Sequence, residues 1–341
     1  MRFFHLLPLF VADTAAEVEI PTAGKHLKMP NYGGQAIIEG VLMRGRRAVA
    51  MAIRKPDGEI HIHTERLSRI YQSPIMKVPF LRGIIGLWDA LVLGTRALTY
   101  SANMQLDEDE QLEGWGLYLS LGLSLLVGVA LFTLLPAGLG HWVQTTLGLS
   151  PLVGNLIEGL VRLGLLIAYI WGIGLMDDVR RLYMYHGAEH KTINAFEAGA
   201  PLTPESTARY PLEHPRCGTA FLLILVLVSV VAYSLLGEQT LFWRFASRLL
   251  LLPLLAGVAY EYLRWTADHM NLPWVRAIVQ PNLWLQHLTT REPTHDILEV
   301  GIASFQAMRA AEEGESLTTE TATDTAEEAT PDAAEAPVTA D

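Results

Sequence analysis

The stretch GWGLYLSLGLSLLVGVALFTLLPAGLGHWVQTTLGLSPLVGNLI, from Gly114 to Ile157, contains no Asp, Glu, Lys or Arg. One bilayer crossing takes about 20 apolar residues, so the run is too long for one span. Pro136, Gly138, Gly140, Ser150 and Pro151 are helix breakers within it. The pattern predicts a helix near Trp115–Leu135, a tight turn, and a second helix near Leu152–Met176. Glu158 and Arg162 lie four apart on one face of the second, where pairing lowers the cost of entering lipid. Two further apolar runs predict a third span, Cys217–Leu236, and a fourth, Leu241–Trp265. Arg244 and Arg248 are expected to snorkel at the outer end of the fourth, with Glu261 near its inner end. The expected fold class is mainly α: a polytopic membrane protein with four transmembrane helices and a small N-terminal cytoplasmic region containing a β-hairpin.

Composition agrees with a membrane chain. Of 341 residues, 50% are hydrophobic and only 18% charged, which is too apolar for an ordinary soluble protein. Cys217 is the single cysteine, so no disulfide forms within the chain and a reducing compartment is compatible. The net charge of -11 comes mostly from residues 311–341, an acidic Ala- and Thr-rich tail with too little apolar surface to fold. Residues 1–30 form a variable extension whose start, MRFFHLLPLFVADTAA, imitates a signal peptide; its apolar part is short and interrupted by His5 and Pro8, so it is expected to be retained.

Orientation follows from the basic residues. Thirteen Lys and Arg precede the first span and five lie between Asp177 and Arg216, whereas the Gly138–Pro151 turn has none. By the positive-inside rule both termini and the 177–216 connection face the cytoplasm, which makes this a multi-pass protein of the cytoplasmic (inner) membrane. His186, His190, His214, His269, His287, His295 and Cys217 then share one side, and His141 lies on the other. The bilayer is the expected partner, nucleic acid is not, and homo-oligomerisation stays open.

Residues 31–110 read as a cytoplasmic unit. AVAMAIR and EIHIHT are β-like runs joined by Lys55-Pro56-Asp57-Gly58, which is turn chemistry. Ahead of them GGQAIIEGVLMRG, Gly33–Gly45, lacks the lysine and spacing of a phosphate-binding loop; Glu39 and Arg44 are its polar candidates. Phe80–Met104 has apolar residues at helical spacing with Arg82, Asp89 and Arg96 interspersed, as in an amphipathic helix lying on a membrane. The four spans occupy 111–270, followed by a cytoplasmic segment, 271–310.

The chemistry concentrates in YHGAEHKTINAFEAG, Tyr185–Gly199. His186 and His190 are one helical turn apart, so both rings can hold one metal ion, and Glu189 stands close enough to take a proton from water on that metal. This is H-x-x-E-H. The alternative reading is a polar cap on a membrane helix, with Glu189 and Lys191 in the headgroup zone. A third ligand is sought in Glu261, a carboxylate costly at a membrane depth unless paired or ligating, or in His269. Glu261 could instead pair with an arginine such as Arg180 or Arg264. HPRCGT, His214–Thr219, adds His214, which Pro215 holds extended, and Cys217 at a helix N-terminus beside Arg216, the setting in which a thiol becomes reactive. Ligand, inert and nucleophile are its readings, in that order.

NYGGQAIIEGVLMRG, YHGAEHKTINAFEAG, HPRCGTAF and LWLQHLTTREP, in this order around four apolar spans, resemble the YqhQ-like bacterial membrane proteins over roughly residues 30–308. That domain family is of unknown function and is sometimes labelled a predicted metal-dependent enzyme. The resemblance marks Gly33, Gly34, Gln35, Glu39 and Gly40; His186, Glu189, His190 and Lys191; His214, Arg216 and Cys217; and Thr290, Arg291 and Glu292. The resulting expectation is a metal-dependent, hydrolase-like enzyme using a divalent metal, zinc by preference for imidazole. Glu189 and Lys191 are its catalytic candidates, and its metal ligands are drawn from His186, His190, Glu261, His214 and Cys217. The competing expectation is a non-enzymatic scaffold or small transporter.

Overall fold

The computed structural model describes residues 32–68, 73–107, 111 and 114–314; the signal-like start and nearly all of the acidic tail lie outside these. Four strands, β1 (Gly33–Ile37), β2 (Gly40–Arg44), β3 (Ala48–Arg54) and β4 (Ile60–Arg66), form an antiparallel sheet in chain order. The expected hairpin is β3–β4, closed at Gly58 (φ 92°) with the Glu59 amide bonded to Asp57 Oδ1 at 2.9 Å. The Gly33–Gly45 stretch, expected only to bring backbone close, is a second hairpin. Its two-residue turn, Ile38-Glu39, sits between the paired Ile37 and Gly40, and Glu39 takes a positive φ of 51°.

Both faces of the sheet are covered, which is why AVAMAI of β3 is buried without alternation. On one face lies α1 (Leu81–Asn103), whose Ala97 packs against Ile37, Leu42, Val49, Met51 and Ile53. The opposite face carries α5 (Asp177–Glu197) and the C-terminal α11 (His295–Glu313), joined to Val41, Met43 and Ala50 through Tyr185, Leu298, Phe305 and Met308. Each such fully buried side chain contributes about 1.5–3 kcal/mol. Thus α1 lays one face on the sheet and leaves Trp88 and Leu91 exposed on its outside.

The apolar helices depart from the expected layout. α2 (Gly114–Val129), a π-helical segment Ala130–Leu134 and α3 (Leu135–Thr146) make one continuous helix of 33 residues. Pro136 does not end it, because the proline stands in the first turn after the widened π segment, where its missing N–H breaks no regular bond. The turn comes instead at 147–150, before α4 (Pro151–Ile173). Gly140 allows the two helices to meet: a Cβ there would lie 2.9 Å from the Gly154 carbonyl oxygen.

These two helices are long and apolar enough to cross a membrane. The fourth expected span is two helices, α8 (Leu241–Leu250) and α9 (Leu252–Asp268), bent by 47° where Pro253 starts α9; counted as one they bring the total to three. The third, α7 (Gly218–Ser234), is a shorter apolar helix. None of α2 is buried, and Trp115, Leu119 and Leu125 stand exposed, an apolar surface that marks a membrane or protein contact. Arg244 and Arg248 do not snorkel. Both are buried on Glu158 of α4, since α8 packs against α3 and the π segment and turns these side chains toward α4.

Candidate metal centre

A backbone amide, a buried ammonium and close packing fix the α5 motif. α5 starts with Asp177 and Asp178, which complement the helix dipole, and its second half is buried against β1 and α11. Gly187 permits the chain to cross at Arg291: a Cβ would lie 2.2 Å from that carbonyl oxygen, and the Arg291 amide donates to Tyr183 O at 2.9 Å. Behind α5, Lys191 is 4% exposed and its ammonium donates to Ala208 O (2.8 Å), Tyr210 O (2.7 Å) and Glu292 Oε1 (2.7 Å). Its three donors are used. Lys191, expected to be catalytic, therefore ties the 204–212 connection, with its one-turn α6 (Pro204–Thr207), to α5, and Glu292 is its counter-charge.

On the adjoining face the two imidazoles stand 4.4 Å apart, centroid to centroid. His186 Nδ1 is 2.9 Å from Thr289 O, and His190 Nδ1 is bonded to Leu212 O. A carbonyl accepts only, so each Nδ1 carries the proton and each Nε2 presents a lone pair, the arrangement that second-shell carbonyls impose on metal-ligating histidines. Cys217 caps the N-terminus of α7, takes a bond from the Thr219 amide at 3.4 Å, and places Sγ 3.3 Å from His186 Nε2. The ligand atoms of His186, His190 and Cys217 all lie within 4.8 Å of one another.

The site fits a cation on an observation independent of any motif. His190 Nε2 is buried and has no hydrogen-bond partner among the described residues; such an atom costs about 1–3 kcal/mol, and a bound ion removes that cost. Beside it, Glu189 is 5% exposed, with Oε2 4.0 Å from His186 Nε2. Burial pushes its carboxyl up to about 7, against the downward pull of His186 and of a bond from the Gly34 amide. Gly34 must be glycine for this contact, since a Cβ would stand 3.0 Å from Glu189 Cγ and 2.5 Å from Leu42 O.

A family of proteins of unknown function, DUF1385, matches residues 78–311. The uncharacterized protein YqhQ of Bacillus subtilis (strain 168) is 36% identical over 301 residues, covering 83% of this chain and 94% of that protein. The chain belongs to this YqhQ-like family. No solved structure matches it.

In this family member the other expected site residues are placed apart from the His–His–Cys group. Glu261 is not beside it: Arg82 of α1 donates to it through Nε at 2.7 Å and through Nη2, and the Phe80 amide through a bond of 3.1 Å. His269 Nδ1 caps Trp265 O at 2.8 Å, and its ring stacks on that indole. His214 is nearer, its ring 5.7 Å from His190, yet its Nε2 points to Glu197, 3.9 Å away. Burial pulls its imidazole down to about 4, overcoming the opposing pull of Glu197. Arg216 pairs with Glu197 rather than with the thiol.

Glu39 pairs with Arg181 of α5 and accepts from the Tyr185 hydroxyl at 3.1 Å; Arg44 pairs with Asp89. Arg291 caps the end of α10 (Pro273–Thr289), donating to His287 O at 2.7 Å. Three contributors escaped notice: Leu212 and Thr289, which act through backbone carbonyls, and Gln286. The last accepts from the His214 amide at 2.8 Å and donates back to its carbonyl at 2.9 Å. Gln286 carries a sequence signal only as an amide within the apolar run of LWLQHLTTREP; the carbonyl contributors have no side-chain signal.

Proposed function

We propose that the chain is a metal-dependent, hydrolase-like enzyme at the cytoplasmic face of the inner membrane. Four crossings are assigned to α2–α3, α4, α7 and α8–α9, with both termini in the cytoplasm. The observation that carries the reading is the convergence of three donor atoms, one of them an imidazole nitrogen with no hydrogen-bond partner among the described residues. The excess of Lys and Arg before α2 and between α4 and α7 supports the orientation.

His186, His190 and Cys217 would hold a divalent ion, zinc being suited to two imidazoles and a thiolate, with a coordination position left open. When bound, such an ion supplies Lewis acidity and brings the ionisation of water toward neutral pH. Glu189, buried and poised near neutrality, accepts and returns the proton. Gly34 and the β1–β2 hairpin hold its carboxylate in place, and the carbonyls of Thr289 and Leu212 hold the rings.

Elemental analysis of detergent-purified protein tests this, together with complementation of a strain deleted for the gene. Wild type is expected to carry stoichiometric metal, and His186→Ala with His190→Ala to lose it. Glu189→Gln is expected to keep metal and fail to complement. A scaffold would complement with all three substitutions, and a metal-free wild type would end the reading.

A further inference from the structure

A second polar cluster lies far along the chain from the metal centre, inside the apolar helices. Glu158 of α4 accepts from Arg162 (2.9 Å), Arg244 (3.0 Å) and Arg248 (2.8 Å), and all four side chains are buried. The remaining partners of the three guanidinium groups are neutral: Asn155, Gln144, Gln239, Ser229 and Ser247 side chains and the Phe132 carbonyl. Among the described residues, three cations against one carboxylate leave an excess of two positive charges among apolar helices, which is costly without a further anion. The Tyr233 ring, 4.2 Å from the Arg248 guanidinium carbon and 5.7 Å from that of Arg162, offsets part of this.

Beside the cluster is a cavity of about 340 Å³, within the range of ligand pockets, about 300–1,000 Å³. Arg162, Arg248 and Ser229 line its polar end; Phe132, Leu166 and Leu225 line its apolar body. Tyr169, Leu222 and Leu252, which also line it, are all substantially exposed. Arg162 uses three of its five N–H groups, on Phe132 O, Ser229 Oγ and Glu158, which leaves two for a ligand.

We infer that this cavity binds an acyl-chain amphiphile with a compact anionic head, a carboxylate or a phosphate, the head on the two remaining N–H groups of Arg162, beside an Arg248 guanidinium whose five N–H groups are engaged, and the chain along the apolar wall. The charge excess demands the anion, and the wall demands the chain. The site shares no residue with the metal centre.

The test is binding of radiolabelled palmitate and of phosphatidate to the full chain in detergent, with hexadecanol and inorganic phosphate as controls. One of the two anionic lipids is expected to bind at least about tenfold more tightly than hexadecanol, a difference that charge recognition readily supplies; which of them does so identifies the head. Inorganic phosphate is expected not to compete. Arg162→Gln should erase the preference over hexadecanol. Leu166→Trp, which fills the cavity and leaves every charge in place, should abolish binding, and it decides the matter if Arg162→Gln does not fold. His186→Ala with His190→Ala should bind as wild type. Equal binding of anionic and neutral lipids, undiminished binding by Leu166→Trp, or no binding to wild type overturns the inference.

Discussion

Cys217 Sγ lies 3.3 Å from His186 Nε2 although 31 positions separate the two residues. The contact exists because α7 starts where the buried half of α5 runs past it, with Thr289 of α10 touching both: its carbonyl at His186 and its hydroxyl 3.2 Å from that of Thr219. A thiol held against an imidazole lone pair, beside a second imidazole whose Nε2 has no hydrogen-bond partner among the described residues, is a donor set that suits a divalent ion.

Cys217→Ser should therefore weaken zinc binding by more than about 100-fold, beyond the roughly 10–100-fold typical of losing an outer-shell partner. Competition with a chromogenic chelator measures it. Undiminished affinity would remove the thiol from the ligand set.

Zinc at about 1,000 times its Kd should stabilise the wild-type fold by about 4 kcal/mol, seen as a rise in the melting temperature. His186→Ala with His190→Ala should show no such rise.

Gly34→Ala should destabilise the protein by about 1–3 kcal/mol, the usual cost of overpacking. The new methyl meets Leu42 O and the Glu189 side chain. Function should fall further than stability does, because the displaced group is the proposed base, whereas metal content should hold. Thermal melting, elemental analysis and complementation separate the three effects.

Lys191→Met should leave two carbonyls, those of Ala208 and Tyr210, without their donor, at about 1–3 kcal/mol each. Hydrogen exchange should rise across 204–212 and leave β3 protected.

Glu261→Gln should leave metal content unchanged, since that carboxylate serves Arg82, and should loosen α1 from α9. Metal loss in this variant would return Glu261 to the ligand set.

The pairing of His186 with His190 and the position of Glu189 were legible from H-x-x-E-H, because a helix repeats every 3.6 residues whatever surrounds it. The long apolar stretches and the β3–β4 hairpin were legible for the same kind of reason: composition and turn residues act locally. Packing alone selected Cys217 over Glu261 and His269, since all three are plausible donors and only the meeting of α5, α7 and α10 says which one arrives. Packing also drew Arg244 and Arg248 onto Glu158, where hydropathy along the chain placed them at an interface, and let Pro136 pass inside a helix that its side chain forecast to end. Local backbone preference writes an element into adjacent residues, whereas a site built from distant segments depends on which helix faces bury against each other, a quantity no window of sequence contains.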